Sequence, residues 1–214
     1  MKVSELARRA YIRLSAVKFY QREGLLPQGV RSAPNQVEYS EAHVKRVRLI
    51  RALLETGGLS IAATKEVLRA VDTDGISMAD TFGVAQKAMS TPRTAASVPS
   101  SESRDRVTQL ARSQGWNFLP ENPGIDAAAR ALDGLNAINF TLTDAYLTAY
   151  ASAASTAAAA DLEALTALSD PDELTELMVV GSILGDPLFA GLRRVAHENS
   201  THHLFPTPPK RDES

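Results

Sequence analysis

Apolar positions at helical spacing alternate with short stretches of turn residues along the first third of the chain. This pattern predicts a first helix from Glu5 to Arg9, capped by Ser4, and a second helix from Leu14 to Gln21. Leu14 and Val17 are expected to pack back on the first helix. Two short helices joined by a tight link are typical of a helix-turn-helix unit, whose second helix enters the major groove of DNA.

The next stretch, Gly29 to Glu38, is polar and rich in turn residues, with Pro34-Asn35 near its centre. It predicts a two-stranded wing. Ser40 is placed to cap a third helix and Ser60 to begin a fourth, each before a run of apolar residues at helical spacing. The first domain is therefore expected to close near Asp72.

After residue 72 the apolar residues still recur at helical spacing, and no stretch alternates as a strand does. The predicted helices are 76–89, 104–114, 125–138, 142–158, 162–168, 171–184 and 187–199. The segment from Thr91 to Ser103 is rich in Pro, Ser, Thr and Ala, and it predicts a mobile linker that leaves the second domain hinged. The expected fold class is mainly α, with a winged helix-turn-helix DNA-binding domain and a C-terminal all-helical domain. The expected divisions are 1–72 for the first domain, 73–103 for a short helix and linker, 104–200 for an all-helical dimerisation or effector domain, and 201–214 for a disordered tail.

Two proline-marked helix starts near the end of the chain predict a helical hairpin. Asp170-Pro171 and Asp186-Pro187 each supply a cap and a first-turn proline, and a glycine precedes the second pair. Two copies of the hairpin could form a four-helix dimer interface, although both helices could instead close the core of one monomer. The residues that share one face of the second helix are Leu188, Leu192 and Val195.

Charge is distributed unevenly along a chain whose net charge is −2. Residues 1–72 contain thirteen Lys and Arg against seven Asp and Glu, whereas residues 73–214 contain ten against eighteen. A basic module joined to an acidic one fits a nucleic-acid-binding domain attached to a domain that avoids nucleic acid. Two solvated surfaces of differing composition would give the same counts, so charge alone leaves the partner open.

Several functional classes are disfavoured by what the chain lacks. It has no cysteine, which excludes disulfides, thiolate metal sites and iron–sulfur clusters. No stretch approaches the run of about 18 apolar residues of a membrane span, and the start does not resemble a signal peptide, so a cytoplasmic protein without membrane contact is expected. No nucleophile elbow, phosphate loop, paired carboxylates or dinucleotide fingerprint is present, which favours a protein that is not an enzyme and uses no cofactor.

The stretch from Val17 to Leu26 concentrates basic and aromatic residues on the second predicted helix. Lys18 and Arg22 stand four residues apart and share a helical face, and Tyr20 is expected to offer its hydroxyl to a phosphate. A glycine follows where a helix commonly needs a left-handed residue to end. The stretch therefore predicts a DNA-reading helix.

Several separate segments of the first third occur together in a specific order and spacing. They are Ser4-Glu5-Leu6-Ala7, Val17-Lys18-Phe19-Tyr20, Arg22-Glu23-Gly24-Leu25-Leu26, Asn35 to Tyr39, Leu49-Ile50-Arg51 and Gly57-Gly58-Leu59-Ser60. Together they resemble the MerR family of transcriptional regulators. The resemblance implies a winged helix-turn-helix that binds a palindromic promoter as a homodimer. Many members also distort the DNA between promoter elements that are spaced too far apart, which lets RNA polymerase start, and the resemblance implies the same here.

The expected contacts with double-stranded DNA fall on the second helix and on the wing. Those on the helix are Arg13, Ser15, Lys18, Phe19, Tyr20 and Arg22, and those on the wing are Arg31, Gln36 and Tyr39. Ser15 is the candidate base reader. The lysine and arginine residues are expected to set affinity mainly through counterion release.

Three residues depart from the family pattern on the DNA side. Tyr11 stands where members usually have a turn glycine, Arg13 where they have a small hydroxyl residue, and Glu38 where they have a wing arginine. A carboxylate repels phosphates, so Glu38 is expected to weaken binding unless it points away or pairs with Arg31. An alternative hypothesis is a MerR-like interaction protein with weakened DNA binding that acts through a protein partner. A third is a nucleoid-architectural protein without sequence preference.

Aromatic residues in the acidic half suggest a site for a small apolar effector. Trp116 and Phe118 lie beside turn residues, and Tyr146 and Tyr150 share a face of an alanine-rich helix. The same four residues could instead be core. No metal site is predicted at the terminal histidines, because no carboxylate–histidine spacing accompanies His197, His202 and His203.

Overall fold

The computed structural model describes residues 1–33, 36–73, 75, 77–90 and 97–204, and these residues form a mainly helical protein. The N-terminal elements are α1 (Val3–Arg9), α2 (Leu14–Arg22), β1 (Val30–Ala33), β2 (Gln36–Glu38), α3 (Glu41–Arg51), a π-helical segment (Ala52–Thr56) and α4 (Ile61–Val71). The later helices are α5 (Met78–Ser90), α6 (Ser101–Ser113), α7 (Pro123–Ala137), α8 (Asp144–Thr166) and α9 (Pro171–Leu204). The predicted mainly α fold class is confirmed.

The predicted wing is present as an antiparallel pair in which Val30 lies opposite Glu38 and Arg31 opposite Val37. Its predicted turn, Pro34-Asn35, lies outside the described residues. The wing begins where two backbones approach closely: a Cβ at Gly29 would lie 2.4 Å from the carbonyl oxygen of Glu38. Only glycine fits at that point without moving the opposite strand.

The start of the chain is held by Tyr39, the residue that directly follows the wing. The Met1 amine donates to the Tyr39 carbonyl at 2.7 Å, and the Tyr39 amide donates to the Met1 carbonyl at 2.8 Å. These bonds fix the chain early enough for α1 to begin at Val3, with Lys2 in the cap position. The predicted cap at Ser4 is therefore wrong.

The predicted caps of the next two long helices are confirmed. The Ser60 hydroxyl accepts a hydrogen bond of 3.1 Å from the amide of Ala63 at the start of α4. At the start of α3, the Ser40 amide donates to Nδ1 of His43 at 3.1 Å, which gives a capping box with histidine as the acceptor. Satisfied amides at these ends stabilise each helix by about 1 kcal/mol.

Helices from the far end of the chain complete the core of the N-terminal domain. Val179 and Ile183 of α9 and Ala85 of α5 belong to the same buried cluster as Leu6 and Ile50. The predicted hinge is wrong in this respect, because α5 and α9 pack on α4 and α9 also packs on the π-helical segment. Residue 72 marks the end of a helix but not the end of a core.

The two long C-terminal helices are less interrupted than predicted. α9 continues through Pro187, so the hairpin expected at Gly185 does not form, and α8 runs through Asp161 where two helices were expected. An internal proline removes only one backbone donor, and a long packed helix can tolerate that loss. α8 and α9 pack on each other instead. Tyr150 pairs with Arg193 and Asp161 lies near Gly185, so the two helices run antiparallel.

One part of α9 is apolar enough to resemble a membrane span. Within Glu173–Thr201, a helical stretch of 29 residues, an 18-residue window reaches a mean hydropathy of 1.3, so the expectation from the sequence that no stretch comes close to a membrane span is wrong. Length and composition by themselves do not show a membrane span, since core helices of soluble proteins can be equally long and apolar. Val179 and Ile183 of this stretch lie in the core of the N-terminal domain. The cytoplasmic location stays a prediction.

Candidate nucleic-acid interface

The outer face of α2 is polar and positively charged. Ser15, Lys18 and Arg22 lie three and four residues apart on one stripe, and all three are exposed, as is Arg13 at the cap position. Leu14 lies one turn before Lys18 on the same side and is 39% exposed, whereas Val17 is buried in one cluster with Leu6, as its predicted packing on α1 requires. The stripe has the chemistry of a phosphate-binding and base-reading edge.

Tyr20 and Tyr39, which the sequence suggested as DNA contacts, are core residues. Only 6% of Tyr20 and 8% of Tyr39 is exposed, and the Tyr39 hydroxyl accepts a hydrogen bond of 2.9 Å from Nε2 of Gln21. Burial raises the pKa of the Tyr20 phenol, and the charge of Glu55 adds to the shift. Two residues along a helix turn the side chain through about 200°, so Tyr20 cannot share the face of Lys18.

Phe19 lies between these two environments. Its ring is half-buried beside Tyr20, with the ring centroids 5.9 Å apart, and the guanidinium carbon of Arg22 lies 5.4 Å from its centroid. A cation held against an aromatic face loses some of its freedom. Phe19 is therefore better placed to orient Arg22 than to contact DNA itself.

The wing presents Arg31 and Gln36, the predicted DNA contacts, to solvent, and Glu38 is exposed as well. Arg31 pairs in register with Val37, the residue beside Glu38, so Arg31 and Glu38 point to opposite faces of the ribbon. Within the described part of the chain Glu38 makes no ion pair, so the expected compensation by Arg31 is not seen. Its negative charge remains on the wing.

Several cations of the first domain are engaged inside the fold. The Arg46 guanidinium donates to both carboxylate oxygens of Asp72, at 2.7 and 2.6 Å, and to the Leu25 carbonyl at 3.1 Å. Arg51 forms an ion pair of 2.8 Å with Glu55, which lowers the pKa of that carboxyl through the hydrogen bond. These arginines brace helices, so less positive charge is available to DNA than composition implies. The Arg51 pair could be found from its four-residue spacing, but the Arg46 pair joins residues too distant for any local signal.

Comparison with known proteins assigns this domain. Residues 1–71 match the model of the MerR HTH family regulatory protein. The N-terminal domain belongs to the MerR family. No curated protein sequence matches the chain.

Two solved structures are similar to the chain. The proposed transcriptional regulator SCO5550 from Streptomyces coelicolor A3(2) is 24% identical, with a TM-score of 0.70 over 98% of this chain and 100% of that one. The transcription regulator PbrR691 from Ralstonia metallidurans CH34, solved with lead(II), is 22% identical over 54% of this chain and 80% of that one. Its TM-score of 0.38 is too low to carry an argument. The first likeness shows that the fold of the whole chain, including the C-terminal helices, is shared.

The backbone at Tyr11 explains why MerR domains favour glycine there. Tyr11 has φ of 55°, in the left-handed region that disfavours side chains. The Arg51 guanidinium holds the turn by donating to the carbonyls of Ala10 and Tyr11, at 3.5 and 3.4 Å. The tyrosine side chain is 83% exposed, so packing does not explain its presence.

The four aromatic residues suggested for an effector pocket form two separate groups. Tyr146 and Tyr150 stack with centroids 4.5 Å apart, and the Tyr146 hydroxyl donates to that of Tyr150 at 2.7 Å, which raises the pKa of Tyr146. Arg193 of α9 donates to the Tyr150 hydroxyl and lies over its ring. Trp116 instead donates a hydrogen bond to the hydroxyl of Ser155 on α8 and lines a groove with Phe118. A single pocket lined by all four is therefore wrong.

Proposed function

We propose that this chain is a transcriptional regulator that binds duplex DNA as a homodimer, with α2 in the major groove and the wing on the adjacent backbone. The exposed stripe of Ser15, Lys18 and Arg22 on a MerR domain carries the proposal. A short hydroxyl side chain followed by two cations on the same helical face suits a base-edge contact beside two phosphate contacts. Arg13 at the head of α2 and Arg31 on the wing extend the positive surface.

The proposed dimer is supported by an apolar row on the outer half of α9. Leu188 is 64% exposed, Leu192 60% and Val195 66%, and their spacing places them on one helical face. An exposed row of this kind marks an interface, and helix-turn-helix dimers place two α2-type helices on two half-sites. Because the inner half of α9 lies in the N-terminal core, point substitution tests the dimer better than deletion. We expect Leu188→Asp combined with Leu192→Asp to give a folded monomer by light scattering, while Leu177→Asp serves as a control on another part of the helix.

DNA binding is tested by fluorescence anisotropy with the duplex upstream of the protein's own coding region and with a random duplex, at several salt concentrations. Lys18→Ala and Arg22→Ala are expected to weaken binding to both duplexes and each to reduce the salt slope by about one. Ser15→Ala is expected to reduce the preference for the upstream duplex with little change in slope. Arg194→Ala, an exposed arginine on α9, is the matched control. Unchanged affinity of Lys18→Ala at every salt concentration would remove α2 from the interface.

An interaction protein with weakened DNA binding is the second candidate, and the unpaired charge of Glu38 favours it. It would bind neither duplex at physiological salt. An architectural protein would bind both duplexes equally. Promoter distortion and recruitment of RNA polymerase belong to the first proposal, and run-off transcription from the upstream duplex tests them.

A further inference from the structure

A groove runs along one face of α6 and is closed by the loop that follows the helix. Arg104, Thr108 and Arg112 lie four residues apart on α6 and line one wall. The chain turns back at Gly115, whose φ of 73° permits the reversal, and Trp116 and Phe118 form the other wall. We name this the α6 groove. Its volume of about 420 Å³ is in the range of small-molecule sites.

The walls of the α6 groove are held in place before any ligand arrives. The Arg104 guanidinium donates to the Pro120 carbonyl at 3.2 Å and pairs with Asp126 at 2.9 Å, which ties the loop and α7 to α6. The indole nitrogen of Trp116 donates to the Ser155 hydroxyl of α8 at 3.0 Å. This bond fixes the plane of the ring, of which 38% is exposed. Walls fixed in this way reduce the entropy lost when a ligand binds.

The α6 groove is positively charged at its Arg112 end. The Arg112 side chain is exposed, and within the described residues its guanidinium makes no hydrogen bond or ion pair. It stands in the acidic part of the chain, where residues 73–214 carry ten cations against eighteen anions. Asp105 lies on the same helix near the Arg104 end and can accept a hydrogen bond from a ligand. A free guanidinium beside two aromatic side chains has the chemistry to bind a planar anion.

We propose that the α6 groove binds a small aromatic carboxylate. The carboxylate pairs with the Arg112 guanidinium, and the ring lies against Trp116 and Phe118. The ligand is therefore an anion, whereas the sequence alone suggested an apolar effector. Binding itself is independent of DNA, and only the role of the ligand as an effector rests on the proposed function.

The test uses Trp116, the only tryptophan of the chain, as its reporter. The full-length protein is titrated with phenylacetate, with phenylacetamide as the neutral counterpart and with inorganic phosphate as the anion without a ring. We expect a saturable change in tryptophan fluorescence with phenylacetate. Phenylacetamide lacks the charge-assisted hydrogen bond and phosphate lacks the ring contact, so we expect the affinity for each to be at least about tenfold lower. Calorimetry on the same samples confirms the stoichiometry of one ligand per chain.

Arg112→Gln is expected to lower phenylacetate affinity by at least about tenfold and to leave phenylacetamide binding unchanged. Arg194→Gln on α9 removes an equally exposed arginine elsewhere and is expected to bind like the wild type. Circular dichroism checks that both variants fold. The proposal is overturned if phenylacetate gives no saturable change in tryptophan fluorescence up to about 10 mM. This concentration is about ten times a millimolar dissociation constant, which corresponds to only about 4 kcal/mol of binding free energy. It is also overturned if acid and amide bind equally, if phosphate binds as well as phenylacetate, or if Arg112→Gln binds like the wild type.

The effector role has a separate readout. Saturating phenylacetate is expected to shift the DNA affinity of the wild type at least about fivefold in either direction, the lower end of typical coupling energies, and to leave Arg112→Gln unaffected. Ligand binding without any DNA binding would refute the proposed regulator and leave the groove assignment intact. DNA binding that ligand does not change would refute the effector role alone.

Discussion

Gly57 and Ile183 touch across the junction between the two ends of the chain. A Cβ at Gly57 would lie 2.5 Å from Cγ2 of Ile183 and 3.0 Å from the Leu53 carbonyl oxygen. Gly57 has φ of −71°, so its need for glycine comes from this close approach and not from its backbone conformation. Through this contact, α9 lies directly on the end of the π-helical segment, and the MerR domain is built partly from the C-terminal half.

Gly57→Ala is expected to destabilise the protein by about 1–3 kcal/mol, because the added methyl overpacks the junction. Urea unfolding followed by circular dichroism measures the change. Ile183→Ala, which removes the Cγ2 methyl that makes this contact, is expected to cost roughly 2–5 kcal/mol alone and to reduce the penalty of Gly57→Ala in the double variant. Strict additivity of the two changes would show that the residues do not oppose each other.

Tyr11→Gly is expected to stabilise the protein by about 1 kcal/mol, because a left-handed backbone disfavours a side chain by roughly that amount. Part of the gain is offset by the greater freedom of glycine in the unfolded chain. Asn139→Gly is the matched control, since Asn139 also has a positive φ, of 59°, but asparagine tolerates it. The comparison is made by chemical denaturation. A less stable Tyr11→Gly would mean that the exposed ring makes contacts that outweigh the strain.

Glu38→Gln and Glu38→Arg are expected to strengthen DNA binding in that order. The first removes a charge that repels phosphates, and the second adds one that releases a counterion and raises the salt slope by about one. Anisotropy titrations at three salt concentrations measure both effects. Glu102→Gln, an exposed carboxylate on α6, controls for net charge. If all three variants bind equally, the face of the wing that carries Glu38 does not approach the duplex.

The anchor of α6 is expected to weaken in acid. The Asp133 carboxylate accepts hydrogen bonds from the hydroxyl and amide of Ser100, at 2.6 and 2.7 Å, and the hydroxyl bond is the largest cause of its lowered pKa. Because the folded pKa lies below the unfolded value of about 3.9, the stabilisation is present above that pH and is lost as pH falls through the folded pKa.

Thermal unfolding between pH 7 and pH 3 tests this anchor. Asp133→Asn is expected to be less stable than the wild type at pH 7 and to lose less stability toward pH 3. Asp105→Asn removes an exposed carboxylate of α6 and is expected to follow the wild-type profile. Parallel profiles for Asp133→Asn and the wild type would rule out a contribution of this carboxylate to acid unfolding.

Local signals in the sequence were sufficient at several places where a structure depends on neighbouring residues, although they misplaced the cap of α1 and a helix start at Pro187. Ser40 and Ser60 begin helices as expected, because a cap satisfies amides only three residues away. The outward stripe of Lys18 and Arg22 follows from helical spacing alone. The same reasoning failed at Tyr20, whose aromatic side chain suggested a DNA contact although its position on α2 faces inward.

The sequence by itself determined the helical character of the chain, the wing, the outward cations of α2 and the likeness to the MerR family, because periodicity and turn chemistry act over a few residues. Only the tertiary structure decided that Ile183 completes the N-terminal core, that Arg46 binds Asp72, and that Arg112 is exposed in the same groove as Trp116. Whether a side chain is buried, paired or available depends on segments that reach it from elsewhere in the chain. The spacing of residues along the sequence does not show which segments those are.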